Sequence, residues 1–296
     1  MVLVLLGFLF VHFYMPRAIT EIRNPVSNFF ATKKIKKGIS SLGLQKYDSE
    51  TVYFKSFDST KLCGRLAHSI RPKSKGTIIL VHGIRSSKDQ YVYMQQNLAD
   101  SGYHSLAIDL RAHGESDGQY CTFGVKEKKD ISAAIDFLYK TKLDVKPIGI
   151  WGQSLGGAVA LQALGSEQRL KFGIIESTFC NFRSITHDYF NKLFGFDFVP
   201  FTNYLINRSG SMAGFNPEDA SPLNACESIR QPVLMAHGKM DQKISMKYAY
   251  KNFKAVSHEN KKLLPIDGAS HSNLWHAGGQ DYLDQVFKFL DNKLLN

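Results

Sequence analysis

Ser154 lies in the run IGIWGQSLGGAVA (148–160), flanked by Gly152 and Gly156 and followed by Gly157 and Ala158. A serine hydroxyl becomes a nucleophile when a neighbouring base takes its proton. A turn that lifts the hydroxyl clear of its surroundings would expose it to such a base. The spacing alone is weak evidence, because with 23 glycines in the chain Gly-x-Ser-x-Gly arises by chance about 0.1 times per chain of this length. The context strengthens it: apolar, strand-like residues precede the serine and small helix formers follow. Together they predict a strand–turn–helix elbow whose glycines allow close approach and whose purpose is to present Ser154.

The elements around this turn alternate. TVYFKSF (51–57) and LCGRLAHS (62–69) read as a hairpin of half-exposed strands. GTIILVHG (76–83), YHSLAIDL (103–110), PIGIW (147–151), FGIIE (172–176), PVLMAHG (232–238) and KKLLPI (261–266) are short apolar runs of the kind buried on both sheet faces. Helical spacing falls between them, at 88–101, 125–140, 155–164, 243–256 and 280–293. This pattern predicts a mostly parallel sheet covered on both sides, with ligands at the carboxyl ends of its strands. Residues 178–226 interrupt it with a stretch rich in aromatics, Phe190 and Phe198 among them. The interruption is too long for an ordinary connection and reads as a helical lid insertion.

At this point the chain resembles the α/β-hydrolase superfamily over about residues 50–293. In that family the order is serine, acid, histidine. By resemblance, VLMAHGKMDQKIS (233–245) places Asp241 as the acid after a buried strand, and LLPIDGASHSN (263–273) places His271 as the base in the loop after the next one. ILVHGIRSS (79–87) matches the oxyanion turn, so the backbone N–H groups of Ile84 and Leu155 would hold the oxyanion. DLRAHGESDG (109–118) resembles the family's D-x-R-G-H-G-x-S loop, departing at Ala112. The implied fold is an α/β-hydrolase fold, with residues 50–296 as the catalytic domain. In the implied chemistry His271 takes the Ser154 proton and Asp241 fixes the imidazole tautomer. No cofactor or metal is called for.

Other candidate groups have quieter readings. His82 and His113 would brace loops, and Asp109 would hydrogen-bond its own turn. Glu176, at a strand end, is a rival acid. The four cysteines, Cys63, Cys121, Cys180 and Cys226, show no metal-ligand spacing and read as buried thiols, with a Cys180–Cys226 bridge left open.

The chain of 296 residues carries 37 Lys+Arg against 26 Asp+Glu. Such a balance favours acidic partners, yet no nucleic-acid-binding signature accompanies it. Residues 1–15, MVLVLLGFLFVHFYM, are apolar apart from His12. Arg17, Arg23, Lys33, Lys34, Lys36 and Lys37 follow, against Glu21 alone. Fifteen helical residues reach about 22 Å, short of a bilayer core of about 30 Å. The run nevertheless reads as an N-terminal hydrophobic anchor followed by a basic linker (16–49), which would place the protein at a membrane surface with its side open.

The functional expectation is a serine hydrolase of the esterase or lipase type, acting on a small-molecule or lipid ester through an acyl-enzyme. A peptidase or thioesterase would use the same site. A non-catalytic binding protein fits poorly with a complete serine, acid and histidine set. Haloalkane and epoxide hydrolysis are disfavoured because those relatives use aspartate at the position of Ser154.

Overall fold

The computed structural model describes residues 2–22 and 47–294. Eight strands form one sheet: β1 (Ser49–Lys55), β2 (Lys61–Ala67), β3 (Thr77–Val81), β4 (His104–Ile108), β5 (Ile148–Gln153), β6 (Leu170–Glu176), β7 (Val233–Gly238) and β8 (Lys261–Ile266), in the order β1-β2-β4-β3-β5-β6-β7-β8. The first hairpin and the β2–β4 pair are antiparallel, and every other pair is parallel. The continuous apolar runs bury both faces. Ile79, Val81, Ile148 and Ile150 point into one core cluster, while Ile78, Leu80, Trp151 and Leu234 point into the other.

Helices cover both faces. They are α1 (Val2–Leu9), α2 (Met15–Thr20), α3 (Val92–Asp100), α4 (Glu127–Lys140), α5 (Leu155–Leu164), α6 (Phe182–Phe194), α7 (Val199–Ala213), α8 (Pro222–Cys226), α9 (Met246–Ala255) and α10 (Leu274–Leu294). Helix α4 turns Ile131, Ala134, Ile135 and Leu138 onto the first cluster, with α5 beside it, and α3 and α10 pack on the second. The last helix begins six residues before its expected start and kinks at Gly279, whose φ of 52° lies in the left-handed region. The interruption between β6 and β7 contains α6, α7 and α8. The four cysteines are free and buried. Burial pushes the Cys180 thiol up to about 12 and the Cys121 thiol well above its usual range.

The N-terminus corrects the anchor reading. Among the described residues no helix is long and apolar enough to cross a membrane. Helix α1 passes through a π-helical turn (Phe10–Tyr14) into α2, and the chain then packs on the body of the protein. The Ser209 hydroxyl donates to Pro16 O at 3.1 Å, and Arg208 Nε to His12 O at 3.3 Å. Pro16, Thr20 and Ile22 are buried. Leu5, Leu6, Phe8, Leu9, Phe10, Phe13 and Tyr14 remain exposed, but the expected placement at a membrane through this segment is not supported. Most of the basic stretch, Arg23 through Lys37, lies outside the described residues.

Candidate active site

Strand β5 ends at Gln153, and α5 starts at Leu155, so Ser154 alone makes the turn, at φ 57° and ψ −118°. A side chain in that conformation costs on the order of 1–3 kcal/mol and persists only where the surroundings hold it. Here the Ser154 N–H donates to Glu176 O at 2.8 Å, and the Thr178 hydroxyl donates to Ser154 O at 2.8 Å. Gly152 and Gly156 admit the helix against the strand: a β-carbon on Gly152 would lie 2.1 Å from Gly156 O.

Three side chains from three strand ends meet. Ser154 Oγ lies 3.0 Å from His271 Nε2, and His271 Nδ1 lies 2.8 Å from Asp241 Oδ2. Asp241 follows β7, and its Oδ1 accepts the N–H groups of Lys243 (2.8 Å) and Ile244 (2.9 Å). Burial alone would raise the Asp241 carboxyl. The bonds from His237, His271 and the Ile244 N–H outweigh it and hold the group well below the usual carboxylate range. It is therefore ionised and able to accept from the imidazole Nδ1–H.

His237 was missed in the sequence, although it stands four residues before Asp241 in the same quoted run. Its Nε2–H donates to Ile244 O at 2.8 Å and lies 3.4 Å from Asp241 Oδ2. Glu176 is engaged elsewhere. Its Oε1 accepts Trp275 Nε1–H at 3.1 Å and the Tyr282 hydroxyl, and no bond joins it to His271.

Ile84 and Leu155 flank the serine on the wall of an adjoining cavity. Leu155 is the first residue of α5, so its N–H has no carbonyl to accept it within the helix. The Ile84 N–H makes no hydrogen bond to the protein among the described residues. The turn behind them is braced by His82, whose Nδ1–H donates to Gly83 O (2.7 Å) while Nε2 accepts from Leu110 N–H (3.1 Å). Burial drives the His82 ring down to about 4. His113 bonds Arg111 O at 2.9 Å, and burial brings it down to about 3. Asp109 accepts Lys88 N–H, Lys88 Nζ and Glu115 N–H at 2.6, 2.8 and 2.9 Å, tying its loop to the segment after the His82–Ile84 turn.

The cavity at Ser154 has a volume of about 340 Å³. Phe179, Phe182, Ile185, Tyr189, Phe190 and Leu193, all from the interruption, form one side of it, and Phe123 and Ile244 contribute from elsewhere. Phe198 does not line it and is 63% exposed. Ala18 and Ile19 also line it, and nothing in their local pattern indicated this.

Comparison with known proteins agrees with this fold. Residues 72–196 match the family model described as serine aminopeptidase, S33. The esterase Pf2001 of Pyrococcus furiosus superposes with a TM-score of 0.69 at 26% identity, covering 84% of this chain and 93% of that one. The chain has the α/β-hydrolase fold. The hydrolase is also 26% identical over 223 residues to the uncharacterized protein YqkD of Bacillus subtilis, covering 73% of this chain and 71% of the relative. A shorter match, 37% identical over 128 residues, links it to the thiohydrolase apmlB of Arthrinium phaeospermum, covering 42% of this chain and 41% of that protein.

Proposed function

We propose that the protein is a serine hydrolase that cleaves carboxylic esters through Ser154, His271 and Asp241. The observation that carries this reading is the unbroken path from Asp241 through His271 to Ser154, with distances of 2.8 and 3.0 Å, opening on an apolar cavity. His271 Nε2 takes the hydroxyl proton as Ser154 attacks the acyl carbon, and Asp241 stabilises the imidazolium. The N–H groups of Ile84 and Leu155 hold the tetrahedral oxyanion, where loss of one donor typically lowers the rate about 10²–10³-fold. The proton passes from His271 to the leaving alcohol, and water then attacks the acyl-enzyme by the same route. Residues 50–296 act as the catalytic unit, and 178–226 serve as a lid that supplies most of the acyl pocket. A pocket of this size and lining suits an aliphatic or aromatic acyl group.

Thioesters are the second reading, favoured by the likeness to a thiohydrolase, since the acyl-enzyme would be the same. The test is labelling by a fluorophosphonate together with a panel of esters, thioesters and peptides. Labelling that disappears in Ser154→Ala, with turnover of the esters, is expected. Absence of labelling, or turnover that survives in Ser154→Ala, overturns the mechanism.

A further inference from the structure

The N-terminal segment, read from sequence as a linker, reaches the active site. Helix α2 lies along α7 and is pinned at both ends. At its start Pro16 O accepts the Ser209 hydroxyl at 3.1 Å, and the His12 ring bonds the Tyr204 hydroxyl. At its end Thr20 O accepts Cys121 N–H at 2.8 Å, and Glu21 accepts from Gln119 Nε2 at 3.4 Å. The Cys121 bond satisfies the Thr20 carbonyl, which the helix end would otherwise leave open. Ile22 is 2% exposed and joins the core cluster that contains Leu155 and Phe182. Between the two pins, Ala18 and Ile19 face the cavity that holds Ser154.

We propose that Ala18 and Ile19 are specificity-determining residues: they form one wall of the acyl pocket and limit the acyl length it accepts. This inference rests on reading the cavity as the acyl pocket. The argument is geometric. The wall is a short helix fixed by hydrogen bonds to α7 and to the loop before α4, so it cannot yield to a longer chain without breaking them. One wall residue is the smallest side chain with a β-carbon, so enlarging it takes space directly from the ligand. The other is branched and partly buried, so trimming it returns space.

The test measures binding apart from catalysis. Straight-chain carboxylates from butyrate to dodecanoate are titrated by calorimetry into the full-length protein and its variants. Affinity should rise about fourfold per methylene until the pocket is full. Ala18→Phe should move that break to a shorter chain. If three methylenes lose their place, dodecanoate binds about sixtyfold more weakly. Ile19→Ala should move the break to a longer chain. Shifts in opposite directions do not arise from general loosening of the fold, and Ala18→Leu replaces Ala18→Phe should the larger ring prevent folding. Variants that melt like the parent and leave the break unmoved overturn the proposal, as does a parent protein whose carboxylate affinity is independent of length. Ester turnover is read in parallel. A moved break without turnover leaves the wall standing and removes the esterase reading, whereas turnover with an unmoved break removes the wall alone.

Discussion

A β-carbon placed on Gly156 would lie 1.9 Å from the carbonyl oxygen of Val81. That contact joins the first turn of α5 to the end of β3, the strand that leads into the His82–Ile84 turn. The serine and Ile84, the proposed oxyanion donor, are therefore held on one corner, made possible by a missing side chain. Gly156→Ala should force the helix off the strand and cost roughly 3 kcal/mol, the upper end of overpacking penalties. Ester turnover should fall with it. An unchanged midpoint in urea unfolding would show that the corner is softer than its contacts imply.

Ser154→Ala, His271→Ala and Asp241→Asn should each lower kcat/KM by at least about 10³–10⁴-fold while the fold survives. The double variants should lose little more than the worst single one, because the three side chains act as a unit. Kinetics of the singles and doubles on one activated ester test this, and additive losses would separate the residues. Glu176→Gln, whose carboxyl bonds Trp275 and Tyr282, should leave His271 oriented. A selective loss there, with Asp241→Asn active, would move the acid.

His82 makes stability depend on pH. Burial lowers its folded-state value to about 4, and its Nε2 accepts a bond from Leu110 only while the ring is neutral. In the unfolded chain the ring takes its proton near pH 6.5. Below about 6.5 the unfolded state thus binds a proton that the folded state does not, so the stabilisation present above that value is lost as pH falls toward 4. Between about pH 7 and 5 this group alone should remove about 2 kcal/mol, and His113 acts in the same direction. Urea unfolding at the two pH values measures the drop, and His82→Gln should flatten it. A slope unchanged by that substitution would assign the proton elsewhere.

Ala112 occupies a position where the family's loop carries glycine, and its φ is 61°. Holding an alanine in the left-handed region costs about 1–2 kcal/mol. Glycine would relieve that strain but lose a buried methyl worth about 0.8 kcal/mol and add freedom to the unfolded chain. Ala112→Gly should therefore stay within about 0.5 kcal/mol of the parent. Ala134→Gly, equally buried but helical, should cost about 1.5–2 kcal/mol. Equal losses at the two sites, read from denaturation midpoints, would remove the strain argument.

The features legible in the sequence were those written in neighbouring residues. Ile78 to Val81 form a run with no polar break, which only a strand buried on both faces can use, and the glycines around Ser154 declare a tight turn. Asp241 and His271 were named by resemblance to the α/β-hydrolase pattern, in which the acid and the base stand in loops after such runs. The fate of residues 2–22 was not legible in this way. Apolar composition states that a segment is to be buried but not against what. Here Pro16, Thr20 and Ile22 are buried, with α7, almost 200 residues away, as the partner of α2, while Leu5, Leu6, Phe8, Leu9 and Phe10 stay exposed. Ala18 and Ile19 were invisible for the same reason. His237 stood in plain view, but a buried histidine beside an acid is informative only once the loop through Ile244 has folded around both.

The aromatics of residues 178–226 divide into two sets that the sequence could not separate, and the division yields the last prediction. Phe190 lines the cavity at Ser154, whereas Phe198 is largely exposed and lies outside the lining. If the insertion roofs the acyl pocket, removing the Phe190 ring withdraws apolar surface from the ligand. The rise of kcat/KM with acyl length, about fourfold per methylene while the pocket fills, should flatten or break at a different length in Phe190→Ala. Phe198→Ala should keep the parent profile, since its ring contacts solvent on either reading. Profiles from acetyl to dodecanoyl esters compare the two. A parent-like profile in Phe190→Ala would leave the insertion as surface structure. Acyl selection would then fall to Phe123, Ile244 and the wall formed by α2.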